Sequence, residues 1–448
     1  MRDQQQTRDL VEQAVELAKR AGADSADAVF AASRSSAVQV RMGALEDVHR
    51  SEAEAIGLRV FAGQRSATVS TSDFDATSLS ELVGRAMEMA RQAPEDPYAG
   101  LAPTELLAEQ PFAEFDEWDA IEPEPKALQQ LVLEAEGAAL GVKGVTNSNG
   151  CGTSSGASIR GIATSTGFSG VSRSTSHAVS ASVVAGEGTG MHRDHDWHSA
   201  RHAADLDDPA AIGKRAGERA VSRLNPIKVK PGPTAILFEP RVSTGLLGHF
   251  AQAIAGSAIA RKSSFLQEKL NQRVFATGIQ IIDDPFRKRG LRSRAFDAEG
   301  LRVREMALVE DGILTSWIAE TASARQLGIA PTGHAVRGIS GAPGSGPSNL
   351  YMQVGKRSVE DMIAMYPRLL VVTELIGQGV NPVTGDYSRG AAGFLYESGE
   401  KVGAVSEITV ASNLLDMFAT LEPASDLEFR RGIDAPSILV PEMMVGSA

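Results

Sequence analysis

Leu10, Val11, Ala14, Val15, Leu17 and Ala18 recur at helical spacing, which predicts a helix over about residues 7–21, with Gly22 as its C-cap. The apolar period then shortens to two. Short β-type runs follow at 26–32, 37–41, 47–53, 56–62 and 66–72, with Met42-Gly43 and Gly63-Gln64 as turn signals. A second amphipathic helix is predicted over 79–91, and a Pro- and acid-rich connector over 94–118. The order then restarts. A helix covers 125–140 with Gly141 after it, strands fall at 157–164, 167–175 and 178–184, and a helix covers 209–224. Helix, antiparallel strands, helix, stated twice, predicts an internal duplication.

Pro226 to Pro233 marks a change of character and the predicted domain boundary. Beyond it, 234–238 is an apolar strand feeding a helix around His249. Strands are predicted near 278–282, 301–309, 349–354, 369–374, 393–397 and 402–410, with Asp311-Gly312 and Ser398-Gly399 as turns. The expected class is α+β: a duplicated α–β(antiparallel)–α domain over 1–225, then a predominantly antiparallel β domain over 226–448.

Composition narrows the function. A length of 448 residues fits two domains, and 42% hydrophobic content suits sizeable cores. The formal charge of -12 argues against generic nucleic-acid binding, which needs clustered Lys and Arg. Arg287-Lys288-Arg289, with Arg292 and Arg294 nearby, is a local basic patch that reads as a solvated loop. The one cysteine, Cys151, permits no internal disulfide and fits a reducing compartment. A polar N-terminus and the lack of any apolar run of about 18 residues predict a cytoplasmic protein without membrane segments.

Four stretches bear on chemistry. His249 sits at the edge of a helical face formed by Val242, Leu246, Phe250, Ala253 and Ile254, with no partner carboxylate or imidazole one turn away. Residues 192–202 hold His192, His195, His198 and His202, half of the eight histidines. As a helix, His195, His198 and His202 share a face and form a metal locus, with Asp194 or Asp196 as second-layer partners. As a strand, His192, His198 and His202 share one face and His195 points away. Residues 377–394 are rich in Gly and turn signals and offer Gln378, Asn381, Thr384, Asp386 and Arg389 as hydrogen-bonding side chains. They lack a P-loop ending, and read either as a structural turn or as a wall contacting peptide or partner. Gly341 to Gly346 contains Ser345 but is broken by Pro343, so it is a poor nucleophile elbow.

Several stretches, in order and spacing, resemble the TldD/PmbA family of microcin-processing and antitoxin-degrading peptidases. They are Gly167–Gly170 near Ser174–His177, the His249 helix with Arg261–Phe265, Phe296–Gly300, Leu308–Leu314, Ser323–Gly328, residues 377–394 and Glu407–Asn413. In the TldD half the helix carries His-Glu-x-x-x-His, and a third ligand is a Cys near the C-terminus. Here Phe250 follows His249, position 254 is Ile, and residues 429–440 hold no Cys. The resemblance therefore implies the PmbA (TldE) half, with no catalytic residue, metal ligand or cofactor in this chain. It implies a heterodimer with a metal-bearing TldD-like subunit, whose cavity cleaves unfolded peptides; a homodimer of the isolated chain stays open. The family label "modulator of DNA gyrase" gains no nucleic-acid support from this acidic sequence. Two other readings remain: an independent metal-dependent hydrolase using the 192–202 histidines, and a non-enzymatic gyrase-modulating binding protein.

Overall fold

The computed structural model describes residues 1–447. Helix Gln4–Arg20 opens on a capping box between Asp3 and Gln6 and buries Leu10, Val11, Ala14, Val15 and Ala18. Strands Ser25–Arg41, Ala44–Ala62 and Arg65–Thr71 follow, then helix Ala76–Gln92. The second round is helix Pro125–Leu140, strands Val145–Thr164, Ser169–Ala185 and His192–Ala200, and helix Pro209–Ser222.

All six strands form one sheet. Its order is third, second and first strand of the first round, then first, second and third of the second. The order is symmetric about the antiparallel pairing of Ser25–Arg41 with Val145–Thr164, as a duplicated unit requires. The later helices approach so closely that a Cβ at Gly213 would fall 1.9 Å from the Ala135 carbonyl oxygen, which excludes any larger residue.

The strands differ from the short runs predicted. The five runs over 26–72 are three strands, two of them 17 and 19 residues long. The stretch 44–50 is wholly exposed, because the third strand pairs only with Ile56–Ala62 and leaves it as a sheet edge, while Val38 and Val40 on its partner strand stay buried under helix Pro125–Leu140. Alternation fades where no core lies beneath, and the sequence then reads as a break.

The C-terminal half is built on a strand set that closes on itself. Gly232–Phe238, Arg368–Ile376, Asp386–Glu397, Glu400–Asn413 and Ile438–Ser447 pair in a ring, closed by Ile408–Ala411 against Met444–Ser447. Most pairings are antiparallel, but Gly232–Phe238 runs parallel to Arg368–Ile376. A smaller sheet holds Met306–Glu310, Ile313–Leu314, Ile281–Asp284, Asn349–Met352 and Ile433–Asp434. Asp311 and Gly312 make its hairpin turn with φ of 46° and 78°. One apolar core joins the ring, the small sheet and helix Pro240–Ala253.

The two halves lock together. Residues of 295–302 and 335–345 cover the sheet face opposite its helices, where Phe168, Phe296 and Leu301 pack with Val29 and Ile162. A Cβ at Gly57 would fall 1.7 Å from the Ile339 carbonyl oxygen. Buried Asp27 there accepts hydrogen bonds from Arg59 and from Arg337, which lies 310 residues away in sequence. No described helix is long and apolar enough to cross a membrane.

Candidate functional site

Helix Pro240–Ala253 carries His249. It stops at Ala253 instead of continuing through position 260, and a separate short helix spans Gly256–Ala260. The Ile318 N–H donates to the Ile254 carbonyl at 3.1 Å, the Gly256 N–H donates to the Ile318 carbonyl at 2.7 Å, and Ser264 Oγ donates to the Ala253 carbonyl. These bonds draw the chain out of the helix. The apolar face also differs in detail: Ser243, Leu246, Leu247, Phe250, Ala251 and Ala253 are buried, whereas Val242 is only partly so.

Phe250 and Ile254 are both 0% exposed. The Phe250 ring meets Phe275 edge-on at 5.3 Å and Phe418 at 6.4 Å, while Phe275 and Phe418 stack at 4.5 Å. His249 is half-buried with its ring 6.3 Å from Tyr387. Burial lowers its pKa, and the charge of Arg389 lowers it further. A divalent metal needs three or four N, S or O donors. Hydrocarbon occupies the two positions beside His249, so these residues do not fit a metal ion. Among the described residues, no group of three or more His, Cys, Asp or Glu side chains converges on one point. Cys151 lies buried in the N-terminal sheet, its thiol pushed up to about 11 by burial. In residues 429–440, Asp434 gathers the N–H groups of Arg430, Arg431 and Gly432 and so fixes that turn.

In the 377–394 segment the structure joins three of the five candidates. Asn381 Oδ1 accepts from the Val383 and Thr384 N–H groups. Thr384 Oγ1 donates to Asp386 Oδ2 at 2.7 Å, and Asn413 Nδ2 donates to Asp386 Oδ1 and to the Thr384 carbonyl. Hydrogen bonds from Thr384 and Asn413 hold the Asp386 carboxyl below its usual range. Gln378 is exposed at the preceding turn, outside this ring. Arg389 lies apart on strand Asp386–Glu397, on the same face as Tyr387. Its charge acts on the Tyr387 hydroxyl, which has no well-aligned hydrogen-bond partner; burial pushes that hydroxyl up to about 12.

The histidine cluster is a strand, and its geometry differs from both sequence readings. His192–Ala200 pairs with Ser169–Ala185, placing His192 and His198 on one face and His195 on the other. His202 lies beyond the strand, so neither three-histidine face forms. His198 Nδ1 accepts from the Asp207 N–H at 2.9 Å, and His202 Nε2 lies 2.9 Å from the Asp116 carbonyl oxygen. Burial lowers the pKa of His195 and of His198.

The sequence did not reveal the cleft that His195 borders. Arg193, Asp194, Trp197, Arg241, Glu374 and Arg431 line a cavity of about 520 Å³ between the halves. Asp194 is its anchor: it accepts from Arg223 and, at 2.7 Å, from Arg241. Burial alone would raise its pKa, but the two guanidinium groups outweigh that and hold it at about 2. No local motif signals this place, because the residues named come from four distant segments, around 193–197, 241, 374 and 431.

Helix Pro240–Ala253 thus packs its Phe250 ring between Phe275 and Phe418. Models of the PmbA/TldA metallopeptidase family match in three consecutive parts: domain 1 over residues 26–90, the central domain over 116–224 and the C-terminal domain over 231–447. The Escherichia coli O157:H7 metalloprotease PmbA is 36% identical over 443 residues, spanning 98% of this chain and 96% of that protein. A Haemophilus influenzae PmbA homolog is 35% identical over 449 residues, spanning 99% and 96%. A Haemophilus influenzae TldD homolog aligns over only 46% of this chain at 23% identity. A Bacteroides thetaiotaomicron crystal structure, provisionally assigned as a modulator of DNA gyrase, superposes with a TM-score of 0.91 at 24% identity, covering 99% of each chain. TldE from Thermococcus kodakarensis gives 0.87 at 20% identity, covering 97% of this chain and 99% of its own. The chain belongs to the PmbA/TldD metallopeptidase family, on its PmbA/TldE side.

Proposed function

We propose that this chain is the subunit of a two-component metallopeptidase that carries no metal. In this reading it pairs with a TldD-like, metal-bearing subunit and supplies structure and peptide-contacting surface. Its substrates are unfolded peptides, in microcin maturation or antitoxin degradation, and it works in the cytoplasm. One observation carries the reading: Phe250 and Ile254 are fully buried in an aromatic core where the family's metal helix would present a base and a ligand. A buried Phe neither deprotonates water nor binds a cation.

The exposed ring of Asn381, Thr384 and Asp386, with Gln378 beside it, is our candidate for contact with peptide or partner. Its turn is already fixed by hydrogen bonds, so binding there costs little ordering entropy. The alternative of an independent hydrolase finds less support, because His198 and His202 are engaged by backbone groups and His195 faces away from His198. The reading is tested by mixing the chain with a metal-bearing relative from the same cell and assaying an unstructured peptide. Cleavage by the mixture and by neither component alone is expected; cleavage by this chain alone overturns it.

A further inference from the structure

The cleft beside Asp194 continues into a second cavity of about 350 Å³ that shares Arg431 with it. Together they form a groove between the halves. Its floor is strand His192–Ala200, the last strand of the six-stranded sheet, and among the described residues no strand pairs with its outer side. Nine basic side chains line the groove against five acidic ones, in a chain whose total charge is -12. Charge of this sign is concentrated here against the trend of the whole molecule.

Seven of the nine are already committed to carboxylates. Arg193 and Arg431 are not: neither holds an ion pair among the described residues. Arg431 is set over the Trp197 ring, 5.4 Å from its centre, which positions the guanidinium without neutralising it. Arg193 and Trp197 lie four residues apart on the same face of the edge strand. The Cα atoms of Arg193 and of Trp197, which carries the Arg431 guanidinium on its ring, are therefore about 13 Å apart along the floor. An extended peptide presents the side chains of residues i and i+4 on one side at that same spacing.

We propose that this groove binds an extended acidic peptide segment, with carboxylates four residues apart on Arg193 and Arg431. Charge-assisted hydrogen bonds from the two guanidinium groups supply both affinity and sequence preference. The outward backbone groups of His195 are already engaged, its N–H by the Asp194 carboxylate at 2.7 Å and its carbonyl by Arg241 at 3.5 Å, so the peptide is held through its side chains. A polynucleotide fits less well, because the five carboxylates on the walls and the negative total charge repel a continuous phosphate chain. The proposal rests on the peptide-handling reading only for the source of the peptide; binding is measured on the isolated chain, so either can fail alone.

The test is fluorescence anisotropy with a labelled octapeptide bearing two Glu residues four apart. The expected result is binding at least about tenfold tighter than that of the Gln counterpart. Arg193→Ala and Arg431→Ala each remove that preference; Arg193→Ala melts like the parent because its exposed side chain holds no ion pair, whereas Arg431→Ala also loses the contact with the Trp197 ring. Arg431→Lys serves as a milder second variant that keeps the charge and loses the planar stack. Equal binding of the Glu and Gln peptides, binding unmoved by both alanine variants, or tighter binding of a single-stranded oligonucleotide of equal length overturns the proposal.

Discussion

The Phe250 ring meets Phe275 edge-on, with centroids 5.3 Å apart and planes at 82°. This is a favourable aromatic geometry in a fully buried core, so the helix is a packing element there. Phe250→Ala should lower stability by about 3–5 kcal/mol, read from urea unfolding, because the cavity it leaves is fenced by Phe275 and Phe418. Phe250→Glu should cost more, since an unpaired carboxyl would be buried. Native-like stability of the Glu variant would show that the site is roomier than the rings imply.

Asp194 joins the halves, because Arg223 ends the N-terminal part and Arg241 begins the C-terminal helix. Its folded pKa of about 2 lies below the ordinary value of 3.8. The resulting stability is present above about pH 4 and is lost as pH falls toward 2, about 2 kcal/mol in all. Asp194→Asn should flatten the stability curve over that window. An unchanged acid slope would mean that the pair contributes nothing to folding.

Glu299 behaves in the opposite sense. Burial, then the nearby Asp297 charge, raise its pKa to about 7 from 4.5, against the hydrogen bonds from Thr321 and the charge of Arg59. A raised folded pKa gives stability that is complete below about pH 4.5 and fades as pH rises through 7. Glu299→Gln should therefore raise the melting temperature at pH 8 more than at pH 5. Equal shifts at both values would argue against a protonated Glu299.

The Asn381–Thr384–Asp386 ring separates stability from function. Gln378→Ala is exposed and unbonded through its side chain, so it should change unfolding free energy by less than about 0.5 kcal/mol. If the turn touches peptide or partner, the same change should weaken the reconstituted peptidase severalfold. Asp386→Ala should do both, because it frees Thr384 and Asn413. Full activity with both variants would remove this surface from the candidate list.

Helix Pro125–Leu140 was legible because Pro125 and Gly141 bracket a regular apolar period, and the Asp311-Gly312 turn was legible from its local φ demand. The long first strands were legible only in pieces, since residues 33–37 and the edge 44–50 have few buried positions and keep no clear alternation. The end of the His249 helix was hidden because the backbone of Ile318 determines it from 64 residues away. Asn381, Thr384 and Asp386 were visible as turn chemistry. The groove was not, since Arg193, Glu374 and Arg431 meet only after folding.

The most direct test of a subunit without its own metal is metal analysis by mass spectrometry on the untagged chain, alone and in complex with its metal-bearing relative. The account predicts far less than one tightly held ion per isolated chain and about one per heterodimer, unaffected by His249→Ala. An isolated chain that retains about one zinc or iron through dialysis against chelator, and loses it on His249→Ala or on the double change His195→Ala and His198→Ala, would contradict it.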